Sequence, residues 1–313
     1  MLGYLIRRLL AAIPVLGVVA VFVFLLLRLT PGDPAAIIAG DTATPEQLER
    51  IRTSLGLNEP LLTQFITWVS RILHGDLGVS LISNVPVLRM IGQRLEPTIS
   101  IALTTMILAI LVAVPLGVIA AWKHGTWIDR CVMGLSVLGF SVPVFVVGYV
   151  LVQVFAIDLR WLPVQGFRSI TKGVGPFLER VLLPTLALSF IYIALIARMT
   201  RASMLDVLGE DYVRTARAKG IAERSVLLKH ALRNAAVPVI TVIGTGFGLL
   251  ISGVVVTESV FNLPGIGRLT VDAVLARDYP VIQGVILLTS TLYVAINLLI
   301  DVAYTFLDPR IRY

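Results

Sequence analysis

The sequence predicts an all-α membrane protein that crosses the bilayer six times. Of its 313 residues, 57% are hydrophobic and only 14% are charged, whereas roughly a quarter of a soluble domain is charged. Mean hydropathy is +0.91. Six stretches contain the roughly 20 apolar residues that a helix needs to span hydrocarbon, and none alternates with the period of two that a barrel strand requires. They cover residues 9–29, 98–121, 131–157, 181–199, 235–256 and 281–306.

The first stretch is predicted to be a retained span and not a cleaved signal peptide. Its apolar run, about 20 residues long, exceeds the usual core of a signal peptide, and no A-x-A cleavage site follows it. The next segment, 30–97, is too long for a simple connection and is predicted to be an external helical subdomain.

Two helices are predicted within that external segment. Thr44-Pro45-Glu46-Gln47 has the form of a capping box with proline at the first helical position, which predicts a helix over about 45–55, and Gly56 follows as a stop. Residues 61–73, "LLTQFITWVSRIL", have helical spacing and predict an amphipathic helix in contact with lipid at the outer interface. The segment either caps the external mouth or contacts substrate directly, and the sequence leaves both open.

Positive charge is distributed unevenly between the segments that join the spans. The N-terminus, the loop 122–130, segment 198–234 and the C-terminus carry 14 Lys and Arg against six Asp and Glu. The other connections carry 12 of each, in nearly twice the length. Because basic loops remain in the cytoplasm, the first set is predicted to be cytoplasmic, with both termini on that side of the membrane. The net charge of +7 therefore reflects topology and not nucleic-acid binding.

Helix-breaking and small residues occur inside the predicted spans. Pro143 interrupts the third span and favours a kink, because proline removes a backbone hydrogen bond. Gly244 and Gly248 form a G-x-x-x-G pair in the fifth span, which lets two helix backbones approach closely in lipid. The pair serves either static packing or a surface that slides during gating.

Polar side chains within the spans are few. Ser141, Ser252 and Asn297 are candidates for lining a polar path, although isolated hydroxyls also bond their own helix. Asp301, near the cytoplasmic end of the sixth span, either has a proton or substrate role or is explained by snorkelling or an interhelical partner. The lone cysteine, Cys131, excludes an intrachain disulfide, and the three histidines lie in separate segments, without metal-ligand spacing.

Segment 198–234 is the most charged part of the chain, with eight Lys and Arg and four Asp and Glu. Placing these charges in lipid at about 2.5 kcal/mol each would cost on the order of 30 kcal/mol, so the segment lies outside the bilayer. The spacing predicts two short amphipathic helices joined at Gly220, which is placed to end the first helix in a left-handed conformation. The apolar face of the first helix consists of Leu205, Leu208, Tyr212 and Ala216, and Leu227 begins that of the second. An apolar stripe with charged residues on both sides suits the docking of a partner protein. Alternatively, the segment is a basic loop that packs on the helices of its own chain.

The same segment resembles a motif of ATP-driven importers. "YVRTARAKG" followed by "LLKHALRNAAVP" is similar to the EAA loop of ABC importer permeases, in the form of the peptide and nickel branch. Arg214 and Thr215 replace the usual glutamate and first alanine, and the proline comes late, at Pro238. The stretches "YLIRRLLAAIPVL", "GDLGVS", "VFNLPGIGRL" and "LLIDVAYTFLDPRIRY" also resemble the DppB-type permeases of the Dpp/Opp family, so the likeness runs nearly end to end.

The resemblance implies a fold, partners and site residues. The fold is that of a type I ABC importer permease, with 1–313 as one transmembrane domain and 200–234 as the loop that fits a groove on a cytosolic ATPase. The implied partners are a homologous second permease (DppC-like), two P-loop ATPases (DppD/DppF-like), which bind ATP and Mg, and an external solute-binding protein (DppA-like). This chain itself is expected to hold no cofactor. The residues assigned to ATPase coupling are Leu205, Leu208, Tyr212, Arg214, Ala216, Gly220 and Leu227.

Motifs that are missing from the sequence agree with a non-catalytic transport subunit. The chain contains neither the phosphate-binding G-x-x-x-x-G-K-[ST] nor the hydrolytic H-E-x-x-H and G-x-S-x-G. Dipeptides are the expected cargo, with oligopeptides, a nickel chelate or glutathione as alternatives. A secondary transporter driven by an ion gradient is the rival from another class, and it predicts an internal repeat and several intramembrane charges.

Overall fold

A computed structural model describes residues 2–29, 35–36, 44–54, 56–252 and 254–307. Within these ranges the chain is helical and contains no β-strand, so the all-α prediction is confirmed. The helices are α1 (Leu2–Leu29), α2 (Pro45–Ser54), α3 (Leu61–Leu73), α4 (Val87–Trp122), α5 (Trp127–Ser141), α6 (Val144–Asp158), α7 (Val174–Leu208), α8 (Asp211–Ala218), α9 (Glu223–Ile251), α10 (Val255–Val260), α11 (Ile266–Leu275) and α12 (Tyr279–Leu307).

Five of these helices are long and apolar enough to cross a membrane, counted over the described residues. They are α1, α4, α7, α9 and α12, and the pair α5 and α6 makes a sixth span if it is taken together. Each overlaps one of the six apolar stretches of the sequence. The third stretch, predicted as one kinked span, is instead two helices bent by 97°.

Pro143 explains the bend. Val142, the residue before it, has ψ of 120°, and Pro143 itself has ψ of 137°, so both have left the helical region. Clash with the proline ring pushes the preceding residue out of the α region, and proline supplies no N–H to continue the ladder. The break therefore exposes irregular backbone in the middle of an apolar stretch.

Segment 198–234 is less separate from the bundle than the sequence predicted. α7 runs to Leu208, well beyond residue 199, and α9 begins at Glu223, before residue 235. The predicted first amphipathic helix is interrupted at residues 209–210, where Glu210 has an extended ψ of 146°. α8 is consequently a helix of eight residues held between the ends of two long helices.

The chain divides into two compact units. The first consists of Met1–Ile6, Glu96–Arg268 and Leu292–Tyr313. Its largest apolar core is built from buried side chains of α4, α6, α7 and α9, among them Ile101, Val152, Leu183 and Leu250. Small residues bring its helices together, since a Cβ at Gly117 of α4 would lie 2.6 Å from Thr200 Cβ of α7. Close backbone approach of this kind supplies van der Waals contact where lipid provides no hydrophobic drive.

The second unit consists of Arg7–Leu95 and Leu269–Thr291. The predicted capping box of α2 is confirmed, because Thr44 N–H donates to Gln47 Oε1 at 2.9 Å and Gln47 N–H donates to Thr44 Oγ1 at 3.3 Å. The predicted helix over 61–73 is confirmed as α3, whose Phe65 and Trp68 pack against Phe24 of α1. Four large apolar side chains of α3 remain exposed, Leu61, Leu62, Ile66 and Leu73.

Candidate functional site

α8 ends in a well-formed Schellman motif at Gly220, as the sequence predicted. Gly220 has φ of +74°. Its N–H donates to Arg217 O at 2.9 Å, and Ile221 N–H donates to Ala216 O at 3.3 Å. Ile221 also packs on the cluster that contains Ala216, which is the apolar contact that accompanies this motif. A left-handed glycine therefore reverses the chain between α8 and α9.

A bidentate ion pair closes the same turn from the side. Arg217 donates from Nη2 to Glu223 Oε1 at 2.7 Å and from Nε to Oε2 at 3.2 Å. The hydrogen bond to Glu223 raises the pKa of the Arg217 guanidinium above its ordinary value. Both side chains are more than a third exposed, so the pair contributes at most about 1 kcal/mol.

The apolar face of the segment packs against the chain's own helices. Val213 and Ala216 of α8 form a buried cluster with Val226 of α9. Leu227 lies in a second buried cluster with Val118 of α4 and Met204 of α7. Leu205 and Leu208 are partly buried against the same two clusters. Most of the stripe that the sequence offered as a docking surface is thus packed within the chain, because burying it costs less than exposing it to water. α8 packs on α7 and α9, and Leu227 of α9 in turn contacts α4 and α7.

The outer face of α8 is polar and exposed. The Asp211 and Arg214 side chains are 95% and 74% exposed, and they face each other at 3.4 Å. Arg214 therefore pairs with Asp211, three residues before it. Tyr212 is 41% exposed, and its hydroxyl accepts a hydrogen bond of 2.7 Å from Asn234 of α9. Tyr212 and Arg214 are thus the assigned coupling residues whose side chains remain exposed to a partner.

A buried carboxylate that sequence reasoning missed ties α5 to α7. The side chain of Asp129 is only 5% exposed, and its Oδ2 accepts from Arg201 Nη2 at 2.8 Å and from the Gly125 N–H at 3.0 Å. His124 Nδ1 lies 3.1 Å from the same oxygen. The only local sign of this site in the sequence is that Asp129 follows His124 by five residues in a basic loop. Its partner Arg201 is 72 residues away in the chain, so the ion pair has no local pattern.

Glu258, in α10, is a second buried carboxylate that was not singled out. It is 1% exposed, and it accepts hydrogen bonds of 2.8 Å from Thr98 Oγ1 and from the Arg268 N–H. A Cβ at Gly265 would lie 2.0 Å from Glu258 Oε1, so the glycine in "NLPGIG" leaves room for the carboxylate. Negative charge is stabilised there by the N-terminus of α11.

The glycine pair of α9 lies against α12. A Cβ at Gly244 would lie 2.1 Å from Ile300 Cδ1, and one at Gly248 would lie 2.9 Å from the Tyr293 ring. Close packing of the two helices therefore depends on both glycines. Asp301, one residue after Ile300, is buried.

The candidates for a polar path are not brought into contact. Ser141 Oγ donates to Val137 O at 2.9 Å, and Ser252 Oγ donates to Gly248 O at 3.0 Å, so both hydroxyls bond their own helix. Asn297 is half-buried in α12. Within the described ranges no hydrogen bond joins any two of the three, and no group of three His, Cys, Asp or Glu side chains is arranged to hold a metal ion.

Comparison with known proteins identifies the family. Residues 113–313 match the family model described as "Binding-protein-dependent transport system inner membrane component", and residues 1–102 match the N-terminal model of such membrane components. A probable peptide ABC transporter permease protein of Sinorhizobium fredii is 58% identical over 310 residues, which is 99% of each chain. The glutathione transport system permease protein GsiC of Escherichia coli K12 is 47% identical over 313 residues, which is 100% of each chain.

A solved structure shows the same fold at low sequence identity. The MetNI methionine ABC transporter, in an inward-facing conformation, aligns with a TM-score of 0.58 and 14% identity, over 70% of this chain and 96% of that one. The bundle is therefore a type I ABC importer permease fold. On the family models and the full-length relatives together, the chain belongs to the inner membrane components of binding-protein-dependent transport systems.

Proposed function

We propose that this chain is the permease subunit of an ATP-driven importer of short peptides, and that the exposed face of α8 docks a cytosolic ATPase. The observation that carries the proposal is the mounting of α8, a short helix with a polar outer face whose inner face packs on long helices. A helix held in this way transmits force to the spans, whereas a flexible basic loop would not.

Peptides are the proposed cargo because relatives that match the whole chain are named for peptide or glutathione transport, and glutathione is itself a tripeptide. Within this class we favour a DppB-type dipeptide permease. Oligopeptides, glutathione and a nickel chelate remain the competing cargoes. An ion-coupled secondary transporter is disfavoured, because membership of this family implies an ATPase partner.

The proposed complex contains a second, DppC-like permease, two DppD/DppF-like ATPases and a DppA-like external binding protein. ATP and Mg would be bound by the ATPases, and this chain would bind no cofactor. We place the chain in a bacterial inner membrane, in agreement with the description of its family. The charge asymmetry supports a topology with segment 198–234 and both termini in the cytoplasm, and segment 30–97 outside.

Coupling would proceed through the two apolar clusters. Closure of the ATPase pair moves α8, and Val213, Ala216 and Leu227 carry that movement to α4, α7 and α9. Gly244 and Gly248 would then act at the contact between α9 and α12, which is packed too closely to deform continuously. Such contacts favour switching between two discrete arrangements, each stabilised by a different state of the ATPase.

The break at residues 141–143 supports a place on the pathway for Ser141 and Pro143. Irregular backbone is not tolerated against lipid, and both residues are exposed in the single chain. The second permease or a water-filled path would cover them, as the broken helices of transporters do. Ser252 and Asn297 are weaker candidates for the same path.

Co-purification from a mild detergent, with partners identified by mass spectrometry, tests the docking proposal. We expect two P-loop ATPases and a second permease to accompany the wild-type chain. The double variant Tyr212→Glu with Arg214→Glu changes the exposed face of α8 and should lose the ATPases while retaining the permease. Lys172→Glu is the matched control. It also reverses an exposed charge, but it lies on the external side of the membrane in the proposed topology.

Two results would count against docking through α8. One is recovery of the chain without any ATPase. The other is equal recovery of ATPases with the double variant and with the wild type. Ala216 is unsuitable for this test, because it is buried and a charged residue there would disrupt the inner face of α8.

A further inference from the structure

The second compact unit contains a partly open cavity of about 640 Å³ that the proposed function does not use. Its walls are the polar face of α3, the loops 56–59 and 76–84, and the start of α12. Binding sites for small molecules have volumes of about 300–1,000 Å³ and combine apolar walls with a few placed polar groups. The volume therefore suits a ligand of a few amino-acid residues.

One wall of the cavity carries a basic group. Arg71, in the last turn of α3, lines the cavity and is exposed. Among the residues that the structure describes, its guanidinium forms no ion pair or side-chain hydrogen bond. A guanidinium of this kind presents two parallel donors to a carboxylate.

Two acidic groups lie on other parts of the wall. Asp76 follows a Schellman motif at Gly75, where Asp76 N–H donates to Arg71 O at 2.9 Å and Gly75 N–H donates to Ile72 O at 2.9 Å. Asp76 Oδ1 accepts the Gly78 N–H at 2.9 Å. Glu59 lies in the loop 56–59, which Gln64 of α3 holds by donating to Glu59 O at 2.7 Å. Neither acid forms an ion pair with Arg71, so the cavity lining offers groups of both charge signs.

The remaining walls are anchored and partly apolar. Ser80 donates to the buried carboxylate of Asp278, just before α12, and Leu81 N–H donates to the same carboxylate at 3.1 Å. Trp68 supplies an aromatic surface between these walls. These hydrogen bonds hold the loop 76–84 against the start of α12.

We propose that this cavity binds a short zwitterionic peptide, with its carboxylate on Arg71, its ammonium group at Glu59 or Asp76 and its side chains against Trp68. The basic and acidic groups of the cavity match the two charged ends of a peptide. A ligand with a single charge would leave the groups of one sign without a partner. The choice of a peptide rests on the proposed function, but the site is distinct from a pathway between the spans. The permease would then bind the transported peptide directly, in addition to the external binding protein.

The test uses the full chain alone, in nanodiscs of phosphatidylglycerol, so that no zwitterionic headgroup competes. Tri-alanine is titrated, and binding is followed by calorimetry and by tryptophan fluorescence. We expect saturable binding, weakened about tenfold or more by Arg71→Gln because a charge-assisted contact is lost. Arg89→Gln, an exposed arginine of the same unit outside the cavity, should bind as the wild type does. Trp68→Phe should abolish the fluorescence change.

A second ligand keeps the test independent of how the variants fold. N-acetylated and C-amidated tri-alanine has the same backbone without the terminal charges, and it should not bind the wild-type chain. Absence of tri-alanine binding, or equal affinity for the blocked peptide or for Arg71→Gln, would overturn the proposal. These outcomes need no ATPase, so they are separable from a failure of co-purification.

Discussion

Replacing Gly220 with valine separates the backbone role of this turn from its packing. Gly220 has φ of +74°, and a Cβ placed on it would meet no heavy atom within 4 Å. The substitution therefore introduces no clash, and its cost comes from backbone conformation alone. Left-handed backbone costs an L-residue about 1–2 kcal/mol, and a β-branched residue tolerates it least.

That cost acts on a turn with few contacts of its own. The Schellman hydrogen bonds and the half-exposed pair of Arg217 and Glu223 hold it. A penalty of about 2 kcal/mol changes the ratio of native to unwound turn by about 30-fold. We expect Gly220→Val to lose most peptide uptake, Gly220→Ala to lose part of it, and Gly220→Asn to stay near wild type, since asparagine adopts this conformation readily.

Uptake of a labelled dipeptide by cells, normalised to the amount of chain in the membrane, measures the effect. The co-purified ATPase should fall in the same order as uptake. Normal uptake by Gly220→Val at equal membrane abundance would refute the reasoning, because the strained turn would then have no consequence for coupling.

Two further predictions concern the packing of the bundle, and thermal unfolding in detergent measures both. Gly244→Ala should destabilise the chain by about 1–3 kcal/mol through overpacking against Ile300, and Ile300→Ala should recover part of that loss. Strict additivity of the two changes would show that they do not contact each other. Asp129→Ala should cost about 3 kcal/mol or more, because it leaves the mostly buried Arg201 without its carboxylate. Asp211→Ala, which removes a solvated carboxylate, should change stability by less than about 0.5 kcal/mol. An equal loss of stability in Asp129→Ala and Asp211→Ala would contradict a special role for the buried pair of Asp129 and Arg201.

Local signals in the sequence predicted the local structure well. The capping box at Thr44 and the end of α8 at Gly220 both depend on groups within five residues, so their geometry follows from chain connectivity. The helical spacing of 61–73 likewise predicted α3. Predictions that required a long-range partner were less successful. Most of the apolar stripe of segment 198–234 was recognised, but its Tyr212 is exposed, and the helices that cover the rest were not predicted.

Composition and periodicity by themselves determined that the chain is an all-α membrane protein, where its apolar stretches lie and which segment carries the most charge. These properties depend on the free energy of transfer of each segment and on the spacing of neighbouring residues, which the order of residues contains directly. Only the tertiary structure decided that the third stretch bends by 97°, that α8 presents its polar face outward, and that Asp129 meets Arg201. Those outcomes depend on which of many distant surfaces pack together, and the energy of such packing arises from shapes and partners that no local pattern encodes.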